Sequence, residues 1–211
     1  MRFKDRHEAG QVLAQELIAY KGQKDAVVLG LPRGGVVLAF EVAQMLGLPL
    51  DVTCPHKIGA PHQPELAIGA ITESGEGHFN ERLCRMLDVS DKYIEEETKR
   101  RAVQAKERLR LYRQGMGPRV LKRQIVLIVD DGLATGSTMK GAILSVRAEH
   151  PKKIVAAIPV SPTDTLEEIK ELADEVICPY APASFQAVGQ FYDDFAQVTD
   201  DEVIELMRAA Q

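Results

Sequence analysis

Asp130 and Asp131 stand side by side at the end of the apolar run Ile125-Val126-Leu127-Ile128-Val129, and after three spacer residues comes Thr135-Gly136-Ser137-Thr138. A run that is apolar at every position is how a parallel strand covered on both faces reads. Residues 139–147 then read as a helix. The first N–H groups of a helix have no internal partner and carry the positive end of its dipole, so a small-residue loop opening a helix suits a phosphate. Open α/β sheets take their ligands at the carboxyl ends of the strands, where the two carboxylates would lie. The chemistry on offer is a phosphate on the loop and, beside it, a metal ion or a pair of sugar hydroxyls. Alone, Thr-Gly-Ser-Thr before a helix reads as an N-cap, and two aspartates at a strand end read as a solvated turn. The conjunction of the two behind an apolar strand sets this segment apart. It is not a Walker A loop, since no Gly-Lys-Thr or Gly-Lys-Ser follows the glycine, and it is not a Gly-x-Gly-x-x-Gly turn.

A second segment, residues 26–37, runs from the apolar Ala26-Val27-Val28-Leu29 through Pro32-Arg33-Gly34-Gly35 into another helical pattern. Gly34 and Gly35 let backbone approach a ligand closely, and Arg33 can fork onto phosphate oxygens. By itself the segment also reads as a tight turn with an exposed arginine.

Residues 125–138 closely resemble the phosphoribosyl-diphosphate (PRPP) binding signature of type I phosphoribosyltransferases, and residues 31–35 look like that family's pyrophosphate loop. The resemblance implies a Rossmann-like parallel sheet flanked by helices, and a transferase moving ribose 5-phosphate from PRPP to a nitrogenous base, expected to be a nucleobase. Displacement of pyrophosphate would pass through an oxocarbenium-like transition state. Ala134, Thr135, Gly136, Ser137 and Thr138 would cradle the 5′-phosphate. Asp130 and Asp131 would hold the ribose hydroxyls and, through water, Mg²⁺; they are expected to serve ligands rather than the fold. Pro32, Arg33, Gly34 and Gly35 would bind the pyrophosphate, with a strained peptide at Pro32–Arg33. Lys57 resembles the family's basic residue after the second strand, and Arg33 and Lys57 join the two aspartates as the expected catalytic set.

Beyond these loops, apolar and polar stretches alternate in a βα pattern. Helices are expected at 5–20, with Val12, Leu13, Leu17 and Ile18 on one face, and at 36–46, 138–149, 164–172 and 201–208. Strands are expected at 26–31, 50–54, 124–129, 153–159 and 175–178. Alternation of this kind implies a parallel sheet with helices on both faces. The stretch of about 56–120 is too long for a plain crossover. It reads as an insertion with a Gly- and Pro-punctuated hairpin and a polar helix over 90–114, and it occupies the position of the family's mobile loop. In that helix Glu95, Glu96 and Glu97 precede Lys99, Arg100, Arg101, Lys106, Arg108, Arg110 and Arg113, which complements the dipole of a solvated helix. The same charges also suit a basic patch facing an anionic substrate or a partner subunit. His56 and His62 read as loop histidines, and Glu65 carries only a weak suggestion of approach to the acceptor.

Residues 179–199 gather Tyr180, Phe185, Phe191, Tyr192 and Phe195. Aromatics with polar edges suit a flat heterocycle, and the segment is partly similar to the family's acceptor hood. Phe185, Phe191 and Tyr192 are the candidate acceptor contacts; a hydrophobic cluster pinning the last helix is the alternative. The acceptor stays open, because Ala134 stands where 6-oxopurine salvage enzymes carry a carboxylate.

With 211 residues, 45% of them hydrophobic, the chain can bury one ample core, so one phosphoribosyltransferase-like domain over 1–211 is expected, with the insertion and hood as embellishments. The net charge of −5 argues against a general nucleic-acid surface. Cys54, Cys84 and Cys178 lie far apart without metal-ligand spacing, which suits reduced thiols in the cytoplasm. No apolar stretch is long enough for a bilayer or a leader. The expected partners are therefore PRPP and a small heterocyclic acceptor, without nucleic acid or membrane, and a homodimer is allowed. The rival reading is a regulatory protein that keeps the PRPP pocket as a sensor.

Overall fold

The computed structural model describes residues 1–71, 77–117 and 119–211, except the side chains of residues 56, 64, 65, 67, 77 and 78. The chain opens with helix α1 (Arg6–Glu16), whose first turn is capped by the Asp5 carboxylate accepting from the Glu8 amide. Strand β1 (Ala26–Gly30), helix α2 (Gly34–Leu46) and strand β2 (Leu50–Val52) follow. The next stretch forms an antiparallel sheet of β3 (His56–Ala60), β4 (Gln63–Ile71) and β5 (Gly77–Phe79), then α3 (Glu81–Met86) and the long α4 (Asp91–Tyr112). The chain then returns through β6 (Ile125–Val129), α5 (Ser137–Ala148), β7 (Lys153–Ala157), α6 (Thr163–Lys170), β8 (Glu175–Ile177) and α7 (Asp200–Ala209).

The five main strands all pair in parallel, in the order β2-β1-β6-β7-β8. From β1 the chain crosses to β2 on one side, then comes back to β6 on the other. The order therefore reverses between β1 and β6, and the loops leaving these two strands part there, as ligand crevices of open α/β sheets do. Alternate residues of the strands face opposite layers. Val28, Leu127 and Val155 pack with α1, α2 and α7 residues such as Leu13, Leu38 and Val203. Val27, Leu29, Val126, Ile128, Ile154 and Ala156 pack with Ile143 and Val146 of α5 and Leu166 and Ile169 of α6. The period of 2 thus divides one apolar run between two cores.

The insertion carries a small core of its own. Ile58, Ala60, Ile68, Ile71 and Cys84 are buried, and Tyr93, Ile94 and Ala102 of α4 pack against them. The hairpin and the capped long helix match the sequence expectation, with Ser90 accepting from the Tyr93 amide. Helix α3, capped by Asn80, has no counterpart in the sequence expectation; six residues are too few to show a helical period. Helix α1 stops short of residue 20. Leu17 leaves helical geometry and a 3₁₀ turn takes over, so Leu13 and Leu17 are buried while Ile18 is half-exposed, against the expected face. Among the described residues no helix is long and apolar enough to cross a membrane.

Candidate functional site

The parallel pairing of Gly30 with Val129 brings the two candidate loops side by side. Leu31 donates its amide to the Val129 carbonyl at 2.9 Å, which fixes the exit of β1 against the exit of β6. The fit beyond that point has no space for a side chain. A Cβ on Gly34 would lie 1.9 Å from Asp131 Oδ2, and one on Gly35 would lie 2.7 Å from the Val129 carbonyl oxygen and 2.9 Å from Asp130 Oδ1. Both glycines are required by this approach, whatever their backbone angles. Arg33 sits half-buried at the N-cap of α2, and the Pro32–Arg33 peptide is cis.

Asp130 and Asp131 do not have equal surroundings. The Asp131 amide donates to Asp130 Oδ1 at 2.9 Å. Asp131 Oδ2 is bound by Arg6 Nε at 2.8 Å, in a pair whose side chains are only 11% and 16% exposed. Burial pushes both carboxyls above their usual range. Asp130 rises well above it, with the neighbouring Asp131 charge adding to burial, whereas the Arg6 guanidinium opposes the rise at Asp131. Two desolvated carboxylates served by one arginine suit a cation or hydrogen-bonding hydroxyls. Asp131 is also part of the fold, contrary to the expectation that the pair serves ligands alone.

Arg6 carries no signal in the sequence. It lies in the first turn of α1, donates through Nη1 to the Ala196 carbonyl at 2.7 Å, and stacks over Phe195 at 3.9 Å from the ring centroid. It ties the N-terminal helix, the aspartate pair and the C-terminal segment together, with no local motif to announce it. Tyr192 completes the bracket by donating its hydroxyl to the Asp131 carbonyl at 2.6 Å.

The 135–138 loop opens α5 as the small residues suggest. Gly136 holds φ 68° at the N-cap and has no side chain of its own to cap the first turn; the Ser137 amide donates to Thr135 Oγ1 at 3.5 Å. A Cβ there would be both strained and 2.8 Å from Thr165 Cγ2. Thr165 donates to the Ala134 carbonyl at 2.9 Å, pinning the loop from α6, and the hydroxyls of Thr135 and Ser137 bond each other at 3.0 Å. A helix start with a glycine N-cap and one long bond to a neighbouring hydroxyl suits an anion on its first amides.

Two of the cavities beside these loops bear on the site. One, of about 430 Å³, is bounded by Pro32, Lys57 and Thr138 on the core side and by α4 on the other. It puts Lys57 in one lining with Pro32 of the first loop and Thr138 of the second. The second, of about 560 Å³, lies between Ala134, Thr135, Asp164 and Phe185. The hood aromatics part company here. Phe185 is half-buried and faces the cavity, whereas Phe191 and Tyr192 are 7% and 2% exposed in the main core. Phe191 packs tilted against Phe185 and edge-on against Tyr180, and Tyr192 packs tilted against Phe3 and Phe195. Their rings are spent on the fold, so the structure reduces the candidate acceptor platform to Phe185. The side chains of His56 and Glu65 lie outside the described residues, and among those described no cluster of three or more metal-binding side chains occurs.

The phosphoribosyl transferase domain family matches residues 4–196. Two curated Mycobacterium tuberculosis proteins, from strains CDC 1551 / Oshkosh and ATCC 25618 / H37Rv, are each 43% identical over 208 residues and carry the name "Putative phosphoribosyl transferase". The match takes in 99% of this chain but 47% of each relative, so the chain spans about half their length. The crystal structure of TT1426 from Thermus thermophilus is 42% identical, with a TM-score of 0.90 over 98% of both chains.

Proposed function

The chain belongs to the phosphoribosyl transferase domain family, and on that premise we propose that it moves the ribose 5-phosphate group of PRPP to a nitrogenous base with release of pyrophosphate. One observation carries the reading: side-chain-free backbone at Gly34 and Gly35 packs against the Asp130–Asp131 pair, beside a helix start at 136–138 whose N-cap is a glycine. In this reading a phosphate loop, a diol-binding carboxylate pair and a second phosphate loop lie side by side at the carboxyl ends of β6 and β1, in the order a sugar bearing phosphate at one end and diphosphate at the other would need.

In this reading the amides of residues 135–138, with the hydroxyls of Thr135, Ser137 and Thr138, hold the 5′-phosphate. Asp130 and Asp131 accept from the ribose hydroxyls, with Arg6 and Tyr192 keeping Asp131 in place. Pro32 to Gly35, Arg33 and Lys57 receive the diphosphate. The anomeric C–O bond breaks as the C–N bond forms. Its electron pair leaves with pyrophosphate, while the attacking nitrogen releases its proton. Positive charge grows on the sugar ring next to the carboxylate pair, and negative charge grows next to Arg33 and Lys57, so both ends of the separating charge meet groups already in position. Two adjacent carboxylates with hard oxygen donors fit magnesium bound through water, and such an ion would supply charge neutralisation of the diphosphate. Phe185 is the surface on which a flat acceptor stacks. The three cysteines are thiols rather than disulfides, which supports work in a reducing compartment such as the cytoplasm.

The test is incubation with Mg²⁺, PRPP and a panel of nucleobases, read by pyrophosphate release. Base-dependent release supports the transferase; PRPP binding without release for any base sends the chain to the regulatory class instead.

A further inference from the structure

The loop at 135–138 is shaped from outside, by a residue of α6 to which the transfer chemistry gives no part. Thr165 donates its hydroxyl to the Ala134 carbonyl at 2.9 Å, across 31 residues of chain. Its methyl group meets the same turn: a Cβ on Gly136 would come within 2.8 Å of Thr165 Cγ2. Thr165 is 8% exposed, so neither contact is open to bulk water. A threonine hydroxyl within a helix ordinarily bonds a carbonyl of its own helix three or four residues back. Here it leaves the helix and serves another loop.

That bond also sets the direction of an amide. A trans peptide points its carbonyl and the following N–H to opposite sides, and the cis peptide among the described residues is Pro32–Arg33, so the unit joining Ala134 to Thr135 is trans. Holding the Ala134 carbonyl toward α6 turns the Thr135 N–H away from α6. This N–H meets no acceptor among the described residues. The support behind Thr165 is firm. Leu166 and Ile169 bury α6 in the core, and Ile169, one turn beyond Thr165 on the same face, comes within 3.4 Å of the Gly136 Cβ position. Glu168 pairs with Lys140 in the first turn of α5.

We propose that Thr165 is a positioning residue for the 5′-phosphate: its hydroxyl fixes the 134–135 peptide so that the Thr135 amide joins those of 136–138 as a phosphate donor. The proposal rests on the transferase reading only for the ligand that fills the loop.

Calorimetric titration of the full chain with ribose 5-phosphate tests it. Thr165→Val keeps the shape and removes the hydroxyl, and should bind about tenfold more weakly than the parent. Thr165→Ser keeps the hydroxyl and removes the methyl, and should bind within about threefold of the parent. A role confined to packing on Gly136 predicts the opposite order, with Val like the parent and Ser weakened; that order, or equal affinity in all, overturns the proposal. If Thr165→Val loses its folded circular dichroism, Thr165→Ala takes its place. Ala and Ser lack the same methyl and differ in the hydroxyl alone, so a gap of about tenfold between them is expected and no gap refutes the bond. In the pyrophosphate-release assay, Thr165→Val should raise KM for PRPP about tenfold and leave KM for the base within about twofold; an equal rise in both overturns the positioning role. A parent that binds ribose 5-phosphate, with the expected order of variants, but releases no pyrophosphate for any base keeps the role of Thr165 and removes the transferase reading. A parent that binds neither ribose 5-phosphate nor PRPP removes both.

Discussion

Arg6→Ala is the change that reaches furthest through this structure. It deletes a charged hydrogen bond to Asp131 Oδ2 at 2.8 Å, another to the Ala196 carbonyl at 2.7 Å, and the stack over Phe195 at 3.9 Å. Charge-assisted bonds contribute about 1.5–3 kcal/mol each, and a partly desolvated cation–π contact about 1 kcal/mol. The Ala196 bond is exposed and counts for less. Removing one partner of a buried pair also strands the other charge, here Asp131 beside Asp130. Together these predict a loss of about 3–5 kcal/mol, or a fall in Tm of roughly 10 °C for a chain of this size. The stranded charge makes the effect diagnostic. Asp131→Asn in the Arg6→Ala background removes it, so the double variant should be more stable than the sum of the singles by about 1.5–3 kcal/mol. Urea unfolding of the four proteins, with midpoints and slopes fitted separately, closes the cycle. Singles that add within about 0.5 kcal/mol would show that the Arg6–Asp131 bridge contributes nothing, and the account of Asp131 as held from α1 would fail.

Three other outcomes are expected. Gly136→Val combines a φ of 68° with an approach to Thr165, so it should abolish ribose 5-phosphate and PRPP binding in calorimetry; unaltered affinity would return the loop to a plain N-cap. Asp51→Asn leaves Arg113 without its carboxylate and should cost about 2–4 kcal/mol, with hydrogen exchange rising along α4 before it rises in the main sheet. Glu175 is held below its usual range by hydrogen bonds from Lys153 and Tyr20. Its contribution is present above the unfolded carboxyl value of about 4.3 and is lost as pH falls through the folded value, so the stability gap between parent and Glu175→Gln should shrink below about pH 4 in urea melts; a gap that stays constant down to about pH 3 would contradict it.

Much of this molecule is legible in the chain because its strongest signals are local. The apolar runs at 26–30 and 125–129 declare buried parallel strands, and the residues that leave them carry their purpose in their size: Gly34, Gly35 and Gly136 stand where a methyl group would collide. Contacts far apart in sequence left no such mark. Arg6 meets Asp131 across 125 residues, and Tyr192 reaches the same aspartate across 61; an arginine in a helix's first turn looks like any solvated charge. The hood aromatics show the reverse error. Phe185, Phe191 and Tyr192 share a composition suited to stacking a base, but burial divides them, and composition does not report burial. Helix α4 is legible in its length and caps, though not in which of its charges turn toward the cavity, since that depends on where Lys57 and Pro32 come to lie.

A crystal structure of the protein with PRPP and Mg²⁺ tests the central claim most directly. The account predicts the 5′-phosphate within hydrogen-bond distance of the amides at 136–138, the ribose hydroxyls on Asp130 and Asp131, and the diphosphate against residues 32–35 and Lys57. PRPP bound elsewhere, or a 5′-phosphate that leaves those amides to solvent, would contradict it.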